Sequence, residues 1–375
     1  MRTRRNTLKM LGGIVGTGAF ATNVVSASDP LPREETKRFY THQDVQDELD
    51  SLQRRARGAF ELEDIGDSLE GRELTVARVG SGDTDVFFTT EQHGDEPTGT
   101  NAILEDLREI ATTNTPLART VRENLTVHVL PMHNPDGAMR NQRRNARPDD
   151  YTWEDPYFGE QSGPADPNRQ HYFNLDEEFL ADADEDEFDP DVGIPDENPS
   201  PETQAMLDYV VPLEPEWVAD LHTQSFMYHG GDYNPGDMHH SSNYWFINEG
   251  AVDRNPEGHE LSRRMNVAMY DRADGFANAA VTVYPGGTTL NIARNAHGAY
   301  GYGSILNEMT GQIDDRGNRM EGQMVRIMRE ENAALLEGTA DGSLDDLDPD
   351  RVEEIPDRGD AWWWPWDEGY RPEPE

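Results

Sequence analysis

The chain has 375 residues, no cysteine, and 74 acidic against 32 basic residues, for a formal net charge of −42. These values exclude a disulfide framework and thiol chemistry, and they argue against a nucleic-acid partner, because a phosphate backbone requires cationic contacts. Lysine occurs only at Lys9 and Lys37, and acidic residues are spread along nearly the whole chain, a pattern expected of an enzyme adapted to concentrated salt, where counter-ions screen self-repulsion.

In chain order, residues 1–27 read as an export signal. Thr3-Arg4-Arg5-Asn6-Thr7-Leu8-Lys9 has the form of a twin-arginine motif, a weakly apolar stretch follows, and Val25-Ser26-Ala27 offers a cleavage site. That stretch is short and Gly-rich, so no stable membrane span is expected, and the product is expected outside the cell or at its surface. Residues 28–65 form a polar, partly helical lead-in. Strands are predicted at 74–79, 85–90, 125–130, 217–221 and 304–307, and helices at 98–112, 201–210, 260–276 and 318–336. Pro201 and Glu202 suit the first turn of the helix they open. Residues 134–200 are a long polar excursion, and such excursions inside compact domains are usually functional. Within it, Asp182, Asp184 and Asp186 start like a calcium loop, but Glu187 stands where the sharp turn needs glycine, so an EF-hand is rejected. The tail from about 339 is acidic and Pro-rich, with Trp362-Trp363-Trp364-Pro365-Trp366 expected to pack back on the domain. Alternating strands and helices predict an α/β fold: a single domain with a mixed, mostly parallel central sheet flanked by helices.

Without cysteine, metal ligands must come from His, Asp or Glu. His93-Gly94-Asp95-Glu96 follows one predicted strand and His222 follows another. Imidazole and carboxylate suit Zn²⁺, ligands in open α/β sheets sit beyond the carboxyl ends of strands, and three protein ligands leave a position for water. His229, His239 and His240 form a second histidine group near the cleft that is not expected to supply primary ligands.

The ordered set of motifs resembles the zinc metallocarboxypeptidases of the carboxypeptidase A type, over roughly residues 70–335. It comprises His93-Gly94-Asp95-Glu96-Pro97, Asn134-Pro135-Asp136-Gly137, the Arg-rich stretch 140–147, Asn168-Arg169, Pro201-Glu202-Thr203, Asp220-Leu221-His222-Thr223 and Asn307-Glu308-Met309-Thr310-Gly311. The resemblance implies a catalytic domain at 66–338 holding one Zn²⁺ on His93, Glu96 and His222, with Glu308 as general base and then acid. It implies that Asn168 and Arg169 grip the terminal carboxylate of a peptide substrate, a task suited to the paired N–H donors of guanidinium. Arg143, or alternatively Arg144, is expected at the developing oxyanion. Tyr284 is expected to cap the substrate, with Tyr300 and Tyr302 as competing choices. Asp220 and Asp136 are candidates to orient the ligand histidines. The implied activity is hydrolysis of C-terminal peptide bonds. Two alternatives remain open on these residues: a zinc-dependent deacylase of N-acyl amino acids, related to aspartoacylase and succinylglutamate desuccinylase, and an inactive binding module on the same fold.

Overall fold

The structure, a computed structural model, describes residues 39–175, 180, 189, 191–224, 227–229, 240–245, 255–283, 289–310, 314–356 and 358–361. All of them lie in one compact unit. The expected export signal, Tyr284, His239, the aspartates of the rejected calcium loop and the tryptophans at 362–366 fall outside the described residues. Of His229 and His240 only the backbone is described.

An eight-stranded sheet organises the unit. Its strands are β1 (Phe60–Asp67), β2 (Glu73–Gly80), β3 (Thr84–Thr90), β4 (Leu125–Leu130), β7 (Trp217–Gln224), β9 (His240–Trp245), β10 (Ala279–Val283) and β11 (Gly303–Thr310). Their order across the sheet is β1-β2-β4-β3-β7-β11-β9-β10. The central run β4-β3-β7-β11 is parallel and β9 pairs β10 in parallel, whereas β1/β2, β2/β4 and β11/β9 are antiparallel. The central strands are near-continuous apolar runs because both sheet faces are covered. Along β3, Val86 and Phe88 enter the main core while Phe87 packs on the opposite face with Met206, Val210 and Val218.

Helices α1 (His42–Arg55), α2 (Thr98–Thr112), α6 (Pro256–Ala273) and α8 (Asp314–Asp341) contribute to the main core. Their sequences carry their own start signals. A reciprocal capping box between Thr41 and Asp44 begins α1. Thr115 caps the short α3 (Pro116–Asn124), and Ser200 caps α5 (Pro201–Leu213) on the other face, each with Pro in the first turn.

The 134–200 excursion holds α4 (Pro135–Arg140), a small hairpin of β5 (Thr152–Asp155) and β6 (Gly159–Ser162), and a 3₁₀ turn at Pro167–Arg169. Together with α7 (Ala293–Tyr300) it builds a third apolar cluster around Tyr172, Leu175, Leu180 and Leu290. A separate antiparallel pair joins β8 (Met227–His229) to β12 (Arg358–Ala361).

Two boundaries expected from the sequence fall within continuous structure. The division between lead-in and domain at 65/66 falls inside β1, and α1 buries Val45, Leu49 and Leu52 in the main core. Most of β1 beyond Phe60 is solvent-facing and acidic (Glu61, Glu63, Asp64), so its residues look like linker. At the other end, α8 runs past 338 to Asp341, and Val352 and Ile355 from the expected tail belong to the core.

Candidate metal centre

Three parallel strands deliver the site at their carboxyl ends. The loop after β3 carries His93 and Glu96, β7 carries His222, and β11 carries Glu308 in register with His222. His222 lies within its strand rather than beyond it, because β7 continues to Gln224.

The β3–α2 loop is built for close approach. A Cβ on Gly94 would stand 2.1 Å from the backbone of Gly137 and Ala138, so only glycine lets this loop rest on α4. Asn134 caps α4 by accepting from Gly137 N at 2.9 Å, and its side-chain N–H donates to the Gln92 carbonyl at 3.2 Å. Just before His93, Glu91 adopts a left-handed backbone (φ 56°), a strained conformation for a non-glycine residue and one that clusters at functional sites. The amide of Asn134 donates to the Glu91 carbonyl at 3.1 Å and holds that turn.

His93, Glu96 and His222 are buried, and one donor atom from each lies within 4.8 Å of the others. Nδ1 of His93 is 2.7 Å from Glu96 Oε1, Nδ1 of His222 is 2.8 Å from Glu96 Oε2, and the two Nδ1 atoms are 3.0 Å apart. The far nitrogens are committed elsewhere. Nε2 of His93 faces Asp166 Oδ1 at 3.1 Å and Nε2 of His222 faces Asp220 Oδ2 at 2.8 Å. A carboxylate only accepts, so Asp166 and Asp220 hold protons on Nε2, while the Glu96 oxygens stand beside both Nδ1 atoms, where a bound cation would take the place of a proton. Lone pairs and a carboxylate converging on one point form a cation site, and two imidazoles plus a carboxylate fit Zn²⁺.

The carboxylates around the centre favour positive charge between them, carried by the imidazoles or by a cation. Burial raises the Glu96 pKa, but His93 and His222 outweigh it and hold the carboxyl well below its usual range. Burial lowers the His222 pKa, but the carboxylates of Asp220 and Glu96 outweigh it and push the group well above its ordinary value. Glu308 is half-buried, and burial followed by the nearby Glu96 raises its pKa.

Arg143 faces the centre. Its Nε and Nη2 bond Asp166 Oδ2 at 3.0 and 2.9 Å, and Nη1 reaches His93 Nδ1 at 3.2 Å. Arg144 instead donates to the Pro164 carbonyl at 3.0 Å. Asn168 and Arg169 occupy the 3₁₀ turn that Asp166 caps, with Asn168 N donating to Asp166 Oδ1 at 3.0 Å. The Asn168 carboxamide oxygen accepts from Ala293 N at 2.9 Å, which ties the turn to α7. Arg169 is half-buried. Burial lowers its pKa, and it lies within the fields of Asp166, Arg143 and Glu308.

Tyr300 and Tyr302, the competing capping residues, donate their hydroxyls to the carbonyls of His171 (3.0 Å) and Val211 (3.2 Å). Both therefore fasten the fold. Of the two candidate orienting aspartates, Asp220 stands behind His222. Asp136 does not orient a histidine: it accepts from Ser68 Oγ at 2.8 Å, from Glu70 N at 2.9 Å and from Arg72. The residue behind His93 is Asp166, which sequence reasoning missed. Its signal was available in Asp166-Pro167-Asn168-Arg169, an acid two residues before the expected carboxylate grip, but one aspartate is inconspicuous among 74 acidic residues.

Comparison with known proteins follows the same lines. The family model described as zinc carboxypeptidase matches residues 45–317. Carboxypeptidase SOL1 of Arabidopsis thaliana is 28% identical over 133 residues, 33% of this chain and 27% of that protein. Cytosolic carboxypeptidase 6 of Mus musculus is 32% identical over 106 residues, 26% of this chain and 19% of that protein. The chain thus spans about a quarter of the length of these curated relatives. Among solved structures, a metallo-carboxypeptidase from Burkholderia cenocepacia superposes with a TM-score of 0.56 at 18% identity, covering 81% of this chain and 70% of that one. Carboxypeptidase A from Helicoverpa armigera gives 0.52 at 16% identity, covering 81% and 74%. The fold is therefore shared with these structures, and the chain, matched by the family model over most of its length, belongs to the zinc carboxypeptidase family.

Proposed function

We propose that the protein is a zinc-dependent carboxypeptidase that removes C-terminal residues from peptides. The observation that carries this reading is the convergence of His93 Nδ1, His222 Nδ1 and the Glu96 carboxylate, with an aspartate behind each imidazole. His93, Glu96 and His222 would hold a zinc ion there, which when bound would supply Lewis acidity toward the scissile carbonyl and acidify water.

The chain's own groups divide the remaining work. Glu308 takes a proton from the attacking water and returns it to the leaving amine; its raised pKa suits a group that must hold a proton between those steps. Arg143, anchored in advance on Asp166, offers N–H donors to the oxyanion. Asn168 and Arg169 grip the free carboxylate of the peptide, and burial of Arg169 strengthens that pairing. Tyr284 is assigned the substrate-capping role on the sequence Tyr284-Pro285-Gly286-Gly287 alone. We further propose export by the twin-arginine route and operation in concentrated salt, supported by the Arg4-Arg5 motif and the net charge of −42.

The test is hydrolysis of two reporters by the mature chain in high salt: a blocked dipeptide with a free carboxylate, and an N-acyl amino acid. Chelator-sensitive cleavage of the dipeptide supports the proposal. Cleavage of the acyl amino acid alone moves the activity to deacylation on the same metal centre, and turnover of neither, with zinc bound, leaves a binding role.

A further inference from the structure

Behind His222 the site continues inward through side chains that the roles above leave unused. Asp220 precedes His222 by two residues on β7 and so shares its face of the strand. Its Oδ2 accepts from His222 Nε2 at 2.8 Å and from Gln92 Nε2 at 2.6 Å. The other end of the Gln92 amide, Oε1, meets His171 Nε2 at 2.9 Å. Gln92, Asp220, His171 and His222 are all buried.

The direction of this chain follows from its chemistry. A carboxylate cannot donate, so the Gln92 atom facing Asp220 is the amide nitrogen. The oxygen then faces His171, which must donate from Nε2. Among the described residues His171 Nδ1 has no hydrogen-bond partner, consistent with that tautomer. The residue is pinned from outside: its backbone N–H donates to the Asn291 carbonyl at 3.1 Å and its carbonyl accepts from the Tyr300 hydroxyl at 3.0 Å.

The two ligand imidazoles are therefore backed differently. Asp166, behind His93, is answered by the guanidinium of Arg143. Among the described residues Asp220, behind His222, pairs with no Arg or Lys, relies on Gln92 for its second donor and has no partner at Oδ1.

We propose that Gln92 and His171 are positioning residues for His222: His171 orients the Gln92 amide, Gln92 holds Asp220, and Asp220 keeps the His222 proton on Nε2 and its Nδ1 lone pair toward the metal. This inference rests on the metal-site reading above. Without the Gln92 donor, Asp220 is a buried carboxylate with one donor left and freedom to rotate, and the aim of His222 goes with it. Outer partners of metal-bound histidines typically change metal affinity by about 10- to 100-fold.

Zinc affinity of the full chain in high salt, measured by competition with a chromophoric chelator, tests this, together with the visible spectrum of the cobalt-substituted protein. Gln92→Met and His171→Leu are expected to weaken zinc by about 10- to 100-fold and to shift the cobalt bands. His171→Gln keeps an N–H for Gln92 and is expected to stay within about threefold of the parent. A merely structural role would lower the melting temperature of the metal-free variants and leave zinc affinity and cobalt bands unchanged. Affinities of Gln92→Met and His171→Leu within about twofold of the parent overturn the proposal. Should those variants not fold, the cobalt-loaded parent carries the test: the shifted Nε2 proton of His222 must be protected from solvent exchange, and rapid exchange overturns the proposal. A parent that binds neither ion overturns the metal-site reading itself, which is a separate result.

Discussion

At the residue scale, position separates the carboxylates of the centre into distinct tasks. Glu96 is locked between two imidazoles, with its Oε2 also accepting from Thr223 N at 2.9 Å, which suits the proposed ligand role and not proton transfer. Glu308, opposite His222 on the neighbouring strand, keeps a raised pKa and is the group left for acid–base work. Glu308→Gln is expected to lower kcat by about 10²- to 10⁴-fold, the usual contribution of general acid–base catalysis, while zinc stoichiometry stays at one. Loss of zinc in parallel with activity would instead make Glu308 part of the metal's support. Asp166 joins three functions: it backs His93, anchors Arg143 and caps the Asn168-Arg169 turn. Asp166→Asn is therefore expected to weaken zinc by about 10- to 100-fold and also to raise KM for a peptide substrate. A change in kcat alone would contradict that shared role.

At the scale of elements, the centre depends on how tightly one loop rests on one short helix. Gly94→Ala places a methyl 2.1 Å from the α4 backbone, so the loop must lift. An overpacked contact of this kind costs about 1–3 kcal/mol, and the variant is expected to melt at lower temperature and to bind zinc more weakly. An unchanged melting curve would show that the loop is not seated as described. The same elements explain what could be read from sequence. Strands β3, β4 and β7 were legible because burial on both faces makes them continuous apolar runs. The candidate ligands His93, Glu96 and His222 were legible as a group because they sit at the carboxyl ends of those runs. The edge strand β1 was not, because its solvent face is acidic, and α7 was not, because Arg294, Asn295 and His297 are polar yet buried. Gln92 bonds Asp220, 128 residues away, so no local pattern marks it, and the local signal of Asp166 is lost among 74 acidic residues.

At the scale of the whole molecule, charge and buried histidines set the conditions under which the domain stands. Arginines are shared among acids: Arg329 alone meets Glu105, Asp106 and Glu109. With a net charge of −42, the remaining repulsion must be screened. Melting temperature is expected to rise by more than about 10 °C between ~0.1 M and ~3 M salt, as the Debye length falls from ~10 Å to below ~3 Å. A flat profile would contradict the proposed salt adaptation. Acid acts through a different group. His297 is buried, and burial lowers its pKa to about 3. Its contribution to stability is present above the unfolded value of about 6.5 and is lost as pH falls toward the folded value, at ~1.4 kcal/mol per pH unit. His297→Phe is expected to reduce proton uptake on unfolding by about one between roughly pH 6 and 4, measured from the pH dependence of unfolding free energy. An unchanged slope would mean that His297 is protonated in the folded chain.

The central claim joins a metal centre to a grip on a free carboxylate, and one comparison tests both. The mature chain, zinc-loaded in high salt, is offered a blocked dipeptide with a free C-terminal carboxylate and the same dipeptide as its C-terminal amide. The account predicts chelator-sensitive release of the terminal residue from the free acid and little from the amide, because Arg169 has no carboxylate to hold there. Equal cleavage of both, or cleavage that survives removal of the metal, would contradict it.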